Sequence, residues 1–200
     1  MTVGRPRKID PDIILENAMQ VFWEKGYEGS SMADIMRATG MHKGSLYQTF
    51  GDKKSLFMAA LERYLDGMFV EQQQIIKTHD DPTAAIRAVL FHLLEYAHIN
   101  DQGGQQQRGC MAVNSLVDSA PYDDDICQLL EQKKQRMIGS MVQVIEQIQA
   151  ANPQQLTRPV EVVTALIGVA MEGLSIEMKN NMDPDMAKAV LDQQLQLLGI

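Results

Sequence analysis

The chain has 200 residues, 45% of them hydrophobic, which is enough to bury a sizeable core and excludes disorder as the main state. Taken whole, its net charge of -8 argues against a polyanionic partner. The charge is unevenly distributed, however. Residues 1–60 carry eight basic and seven acidic side chains, whereas residues 61–200 carry ten basic and nineteen acidic ones. The sequence therefore predicts two regions of different electrostatic character.

The apolar runs and the cysteines limit the class of protein. The longest strongly apolar run, Val162 to Met171, is stopped by Glu172 well short of a membrane span, so we expect a soluble, cytoplasmic protein. Two cysteines, Cys110 and Cys127, cannot form a disulfide framework, and their spacing matches no zinc pattern. We expect reduced thiols, no metal and no cofactor.

Three short helices are predicted at the N-terminal end, over about 11–26, 32–39 and 43–50. Asp10 followed by Pro11 is typical of a helix start. Ser31 with Asp34 three residues later predicts a capping box for the second helix, and Gly40 predicts its end.

Longer helices are predicted after Gly51, over about 52–77, 82–100, 109–119, 122–151, 159–179 and 184–198. Runs of β-branched residues are few, so the predicted fold class is all-α. The stretch 100–109, rich in Gln and Gly, is predicted to be an exposed connection. We expect an N-terminal arm with three short helices over 1–51, a connecting helix over 52–79 and a larger helical domain over 80–200.

A tight connection at Gly40-Met41 joins the second and third helices, as in a helix-turn-helix that places the later helix in the DNA major groove. The predicted core positions of the third helix are Met41, Leu46 and Phe50. Gly44 would let the backbone approach the groove closely. The remaining side chains offer donors and acceptors for base edges and phosphates, namely Lys43, Ser45, Tyr47, Gln48 and Thr49.

Further candidate DNA contacts flank this helix. Ser31 and Lys53 lie at predicted helix N-termini, where backbone N–H groups favour an anion such as phosphate. Ahead of the first helix, Arg5 and Arg7 lie on either side of Pro6, in a segment suited to a narrow minor groove.

Three segments, 27–35, 39–50 and 52–56, resemble the N-terminal DNA-binding domain of the TetR/AcrR family of transcriptional regulators. The most demanding part of the pattern is Lys43-Gly44-Ser45-Leu46-Tyr47 followed by Phe50 and Lys53. The resemblance covers roughly residues 10–68. It implies that the residues facing the major groove are Lys43, Gly44, Ser45, Tyr47 and Gln48. It also implies phosphate contacts from Ser31, Tyr47 and Lys53, whereas His42 stands where a small capping serine is frequent.

The same resemblance predicts a function. It implies a sequence-specific DNA-binding regulator, most simply a repressor that a small-molecule effector releases from a near-palindromic operator. Such a regulator is a homodimer with a C-terminal ligand-binding and dimerisation domain, and it is not an enzyme.

The helix predicted over 159–179 is apolar on two sides. One side carries Val160, Val163, Ile167, Ala170, Leu174 and Met178, and the other carries Val162, Leu166, Val169 and Ile176. A helix that is apolar all round is buried on both faces. We expect one face to contact its own core and the other a second subunit, together with the last helix through Met186, Ala187, Val190, Leu191, Leu195 and Leu198. The alternative is that both faces are buried within one chain.

Fourteen methionines suggest an adaptable pocket, because methionine is flexible and polarizable, although it also fills ordinary cores. An apolar or aromatic effector is expected. The candidate pocket residues, chosen by helix facing, are His92, Tyr96, Cys110, Asn114, Met137, Met141 and Met171.

Cys110 admits two interpretations. It follows Arg108 and Gly109 at a predicted helix start, a setting that makes thiols more reactive, so a thiol-based electrophile-sensing or redox-sensing repressor is an alternative function. The other interpretation is a small buried side chain that only packs.

Other function classes find little support. Glu95 and His98 have the spacing of a di-iron ligand pair, but that site needs a second copy, which the sequence lacks. There is no nucleophile elbow, phosphate loop or dinucleotide fingerprint. The remaining alternative is a helical ligand-binding or protein-interaction module without DNA function.

Overall fold

The computed structural model of the chain describes residues 10–98 and 108–200. Over these residues it consists of nine α-helices and one short 3₁₀ helix, without β-strands, which confirms the predicted all-α fold. The predicted arm with Arg5 and Arg7 lies outside the described residues, as does most of the connection predicted over 100–109.

The helices divide between two compact units, Met1–Tyr64 and Leu65–Ile200. The division falls within α4, inside the segment predicted as a connecting helix. The helices are α1 (Pro11–Gly29), α2 (Met32–Thr39), α3 (Lys43–Phe50), α4 (Lys53–Lys77), α5 (Pro82–His98), α6 (Met111–Asp118), α7 (Asp124–Ala151), α8 (Val160–Lys179) and α9 (Pro184–Leu198).

In the N-terminal unit, the Asp10 carboxylate caps α1 by accepting a hydrogen bond from the Asp12 N–H, at 3.1 Å. The predicted stop at Gly26 is present as a kink, because Gly26 has a φ of 70° within α1. Ahead of the kink, the Phe22 ring packs edge-on against Phe57, with 5.1 Å between the ring centroids. Burial of Phe22, and of other apolar side chains of α1 such as Ile14 and Ala18, stabilises the unit that carries α2 and α3.

The C-terminal unit has one core, built mainly from α5, α7, α8 and α9. The start of α7 differs from the prediction. Residues Ala120–Tyr122 form the 3₁₀ helix, and α7 begins at Asp124 rather than at Tyr122. The reason is local, since the Asp123 carboxylate accepts hydrogen bonds from the N–H groups of Asp125 and Ile126 and so caps the helix there.

The two sides of α8 behave differently within the single chain. Val163, Ile167 and Met178 are buried in the core. The opposite side is exposed in the described structure, at Val162, Leu166, Val169 and Ile176. The interpretation that one chain buries both faces is therefore wrong for the part of the chain that the structure describes.

In α9 the apolar positions also divide. Ala187, Leu191 and Leu195 are buried in their own core, so these three cannot contact another molecule as the sequence suggested. Met186 and Leu197 are exposed instead. Apolar side chains at helical spacing pack against the nearest apolar surface, and in α9 that surface belongs to the same chain.

Membrane spans and metal clusters are both absent from the described residues. No helix there combines the length and the apolarity that a bilayer span requires. Nor do three or more His, Cys, Asp or Glu side chains come together there in a way that could hold a metal ion. The side chain of His98 lies outside the described part of the chain.

Candidate nucleic-acid interface and ligand cavity

The connection between α2 and α3 has the geometry of a tight turn. Gly40 closes α2 in a left-handed conformation, φ 68°, and its N–H donates to the carbonyl oxygen of Met36 at 3.0 Å. The His42 carbonyl then accepts from the N–H groups of Ser45 and Leu46 at 3.0 and 3.1 Å, which starts α3. Leu46 is buried and fixes which side of α3 faces the protein. The two helices thus form the helix-turn-helix expected from the sequence.

The outer side of α3 is exposed, and we call it the recognition face. It consists of Lys43, Gly44, Ser45, Tyr47, Gln48 and Thr49. The Lys43 Nζ lies 5.5 Å from the centroid of the Tyr47 ring, so the ammonium and the aromatic face form one continuous surface. A Cβ added at Gly44 would meet no atom within 4 Å apart from its chain neighbours and the nearby backbone of α3, so the backbone is accessible there. This face combines a cation, an amide and hydroxyl groups, the functional groups that read base edges.

His42 precedes α3 without capping it through its side chain. Met41 and Phe50, two of the predicted core positions, are half-buried rather than fully buried. They therefore border the recognition face, and Leu46 is its main anchor.

Lys53 begins α4 and is a candidate phosphate contact. Its Nζ lies 4.5 Å from the centroid of the Tyr27 ring, an arrangement that holds the ammonium in place by a cation–π interaction. The neighbouring Asp52 carboxylate accepts a hydrogen bond from the Ser55 N–H at 2.7 Å. This backbone bond, followed by that from the Ser55 hydroxyl, lowers the pKa of Asp52 below its ordinary value of 3.8. The Asp52 carboxylate is thus committed to capping α4.

The C-terminal unit contains a cavity of about 220 Å³, which we call the C-terminal cavity. Its wall is mostly leucine, isoleucine, valine and methionine from α4 to α8. Four of the seven predicted pocket residues line it, namely Cys110, Met137, Met141 and Met171. An apolar wall of this kind suits an apolar small molecule.

The other three predicted pocket residues do not line the C-terminal cavity. The His92 Nε2 lies 2.9 Å from a carboxylate oxygen of Glu71, and its ring is 6.3 Å from that of Tyr96. Asn114 donates its amide N–H to the Arg108 carbonyl at 2.9 Å and accepts from the Lys179 Nζ at 3.0 Å. Helix facing alone did not reveal that these side chains have partners elsewhere.

Sequence reasoning missed several lining residues, among them Met68, Cys127, Glu131, Lys134 and Glu172. For the lining residues on α7, the sequence itself contains a signal that predicts them. The α7 positions in the wall recur at spacings of three and four residues, namely 127, 130, 131, 134, 137, 138 and 141. Extending the spacing backwards from Met141 would have found them. Met68 and Glu172 lie on other helices, and only packing brings them to the cavity.

A second concave surface, which we call the α8–α9 groove, lies on the exposed side of α8. Leu166, Val169, Val190 and Leu197 are among its lining residues. Val169 is 69% exposed and Leu197 is 66% exposed, high values for apolar side chains that share one groove. Clustered exposed apolar groups of this kind mark an interaction surface.

Comparisons with known proteins agree with this arrangement. The sequence profile of the family described as bacterial regulatory proteins, tetR family, matches residues 14–60. Two curated relatives come from Escherichia coli (strain K12). The HTH-type transcriptional repressor ComR is 26% identical over 196 residues, covering 98% of this chain and 89% of ComR. The HTH-type transcriptional repressor BdcR is 27% identical over 172 residues, covering 86% of this chain and 80% of BdcR.

Solved structures share the fold. A cysteine mutant of the TetR family transcriptional regulator CifR, complexed with 26-bp double-strand operator DNA, superposes with a TM-score of 0.82 at 24% identity. The match covers 96% of this chain and 98% of CifR. A TetR family transcriptional regulator from Agrobacterium tumefaciens superposes with a TM-score of 0.81 at 16% identity, covering 94% of this chain and 96% of that one.

Proposed function

The chain belongs to the TetR family of DNA-binding transcriptional regulators and is not an enzyme, and from this premise we propose that it is a repressor released from its operator by a small-molecule effector. The single observation that carries the proposal is the exposed recognition face on α3, which combines the groups that read DNA with a rigid helical support. The names of ComR and BdcR, both repressors, favour repression over activation.

Within the recognition face we assign base contacts to Lys43 and Gln48, because an ammonium donates to guanine and an amide pairs with adenine. Phosphate contacts are assigned to Tyr47 and Lys53, which would position α3 without reading sequence. The cation–π contact with Tyr27 supports the assignment of Lys53, because it already restrains the lysine side chain, which then loses less rotamer freedom when it binds phosphate. Ser45 and Thr49 supply further hydroxyls, and the Thr49 hydroxyl donates to the Ser45 carbonyl at 2.9 Å.

We further propose a homodimer that forms through the α8–α9 groove. The exposed apolar side chains of Leu166, Val169 and Leu197, which line the groove, support this, because their contact with water is unfavourable and a second copy would remove it. Two-fold symmetry suits a near-palindromic operator, since two recognition helices then read half-sites about 34 to 36 Å apart.

The C-terminal cavity is the proposed effector site. Its α4 residues, Leu65 and Met68, belong to the helix that begins at Lys53, so an effector in the cavity would contact the helix that leads to the DNA-binding unit. Release requires the effector to bind the DNA-incompetent state more tightly, and coupling of this type is typically about 1 to 3 kcal/mol. We regard α4 as the element whose position couples the two events.

The test combines selection and transcription. The purified protein is used to select binding fragments from sheared genomic DNA, and the selected promoter is transcribed in vitro with and without the protein. We expect a near-palindromic site overlapping the promoter and lower transcript yield with the protein. A higher yield would overturn the repressor assignment, and an asymmetric site would overturn the symmetric dimer.

A second candidate function is thiol sensing through Cys110. One observation favours it, namely that Cys110 is half-buried in the wall of the C-terminal cavity, where a bound electrophile would reach its sulfur. The test treats wild type and Cys110→Ser with N-ethylmaleimide, whose alkene carbon would bond to the Cys110 Sγ while the thiol proton passes to the adjacent carbon. Operator release in wild type alone supports sensing. Equal operator affinity of both treated proteins excludes it.

A further inference from the structure

We propose that the C-terminal cavity binds an elongated molecule that has an aromatic body and a single cationic end. This inference rests on the proposed effector function and deepens it by naming the chemical class of the effector. Three features of the wall carry it, namely the kind of apolar side chain, the length of the cavity along α7 and the position of the charged side chains.

Methionine supplies the apolar part of the argument. Met68 from α4, Met137 and Met141 from α7, and Met171 from α8 place thioethers around the cavity from three helices. None of the described residues in the wall is aromatic. Thioether sulfur makes favourable contacts with aromatic rings, and methionine adapts its shape to them. An aromatic body would therefore gain contacts that the wall does not make with itself.

The length of the cavity follows from the positions on α7. The lining residues run from Cys127 to Met141, which is about 21 Å of helix at 1.5 Å per residue. Glu131 lies in the first half of this stretch, Lys134 lies at its midpoint, and Met137 and Met141 lie in the second half. A ligand that fills the cavity is thus elongated, with different chemistry at its two ends.

The charges decide which end group fits. Lys134 donates to the Glu172 carboxylate at 2.6 Å, and both side chains lie partly exposed at the cavity wall. Glu131 accepts a hydrogen bond from the Gln135 amide at 3.0 Å, and no cation pairs with it among the described residues. The lining residues therefore carry one excess negative charge, located at Glu131.

Two nearby cations lie outside the cavity wall and share one carboxylate. Lys133 and Arg136, also on α7, both pair with the Asp66 carboxylate, at 2.8 and 3.3 Å. The Arg136 guanidinium in addition lies 3.8 Å from the centroid of the Phe69 ring. An ammonium group beside Glu131 would pair with it, whereas a carboxylate there would be repelled by it.

The experiment measures binding to the full-length protein by calorimetry at neutral pH with three probes that share a phenyl ring and an alkyl chain. They are phenylbutylamine, a cation, phenylbutanol, which is neutral, and phenylbutyrate, an anion. We expect the cation to bind most tightly, the alcohol less tightly and the anion least. The Kd should rise by about two- to fivefold at each step, the range of a partly exposed ion pair. Equal affinities, or no binding of the cation, would overturn the proposal.

Charge variants make the test specific. Glu131→Gln should remove the advantage of the amine over the alcohol, and Lys134→Gln should increase it, because the Glu172 carboxylate is then unpaired as well. Glu146→Gln, at an exposed position of the same helix outside the cavity wall, is the control and should change nothing. An amine preference that survives Glu131→Gln would overturn the assignment.

Operator release, measured separately by gel shift, distinguishes the two levels of the proposal. Binding with the expected charge order but without release would leave this inference standing and remove the proposed induction by such molecules. Release by other compounds, without binding of the amine, would do the reverse.

Discussion

Ser31 and Asp34 cap α2 reciprocally. The Asp34 N–H donates to the Ser31 hydroxyl at 3.1 Å, and the Asp34 carboxylate accepts both from the Ser31 N–H at 3.1 Å and from the Ser31 hydroxyl at 2.6 Å. Both donors of Ser31 are thus directed at Asp34. A DNA phosphate at this N-terminus would have to replace Asp34 as the acceptor of the hydrogen bond from the Ser31 hydroxyl.

The acid dependence of stability should depend on Asp34. The hydrogen bond from Lys25, at 2.8 Å, and then those from Ser31 hold the pKa of Asp34 far below its ordinary value of 3.8. Because the folded-state pKa is the lower one, the stabilisation is fully present above pH 3.8 and is lost as the pH falls through the folded-state pKa.

We therefore expect Asp34→Asn to lower the melting temperature of the protein at neutral pH, and the difference from wild type to narrow as the pH falls below 3.8. Thermal melts at a series of pH values check this. Glu24→Gln, at an exposed position in α1, is the control. A difference that stays constant down to strongly acidic pH would show that the Asp34 charge is not responsible.

Lys43, Gln48 and Lys53 should separate into two classes of DNA contact. Lys43→Ala and Gln48→Ala should change sequence preference, with a penalty of about 1 to 3 kcal/mol for each hydrogen-bonded base that is no longer read. Lys53→Ala should weaken binding to all sequences and reduce the slope of affinity against salt by about one. Selection from a random library, followed by salt titration, measures both effects.

Lys77→Ala is the control for these variants, because Lys77 is exposed at the end of α4. Unchanged operator selection by both the Lys43 and the Gln48 variants would refute the assignment of base contacts to the recognition face.

Val169→Glu should separate the proposed dimer into folded monomers. Val169 is 69% exposed and lines the α8–α9 groove, so a dimer seam there would bury two unpaired carboxylates, at a cost of about 3 to 5 kcal/mol for an uncompensated buried charge. Light scattering after gel filtration at micromolar concentration checks the mass, and circular dichroism checks the helix content.

Val117→Glu is the matched control, since Val117 is 57% exposed on α6 and does not line the groove. A wild-type protein that is monomeric, or a Val169→Glu protein that stays dimeric, would exclude the proposed seam.

Gln72 should tolerate an apolar replacement although it is fully buried. Its amide donates to the Met137 carbonyl at 3.2 Å, but no donor reaches its Oε1 among the described residues. The Ser140 hydroxyl also donates to the Met137 carbonyl, at 3.0 Å, so Gln72→Met leaves that carbonyl with a partner. We expect the free energy of unfolding to stay unchanged or to rise by up to about 1 kcal/mol.

Urea denaturation measures this free energy, with Gln74→Met at an exposed position of the same helix as the control. A loss of more than about 2 kcal/mol, beyond the usual net value of one hydrogen bond, would mean that the Gln72 amide has a role other than packing.

The helix-turn-helix was predictable because the residues that specify it are close together in the sequence. The spacing of Ser31 and Asp34, the glycine at position 40 and the apolar Leu46 lie within one or two helical turns of the structure they specify. The cavity was only half predictable, because His92 and Asn114 do not line it and instead have partners on other helices, Glu71 and Lys179. Such pairs cannot be predicted from periodicity, because periodicity shows which face of a helix a residue lies on but not which residue of another helix packs against it.

The sequence by itself determined the all-α class, the helix-turn-helix and the exposed residues of α3, because caps, glycines and helical spacing act over a few residues. Its two-part charge also separated a near-neutral DNA-binding end from an acidic remainder. Only the tertiary structure decided that Lys134 pairs with Glu172, that Lys53 lies over Tyr27 and that both cysteines line one cavity. Such contacts join residues far apart in the chain, and the packing of whole helices sets which of them meet.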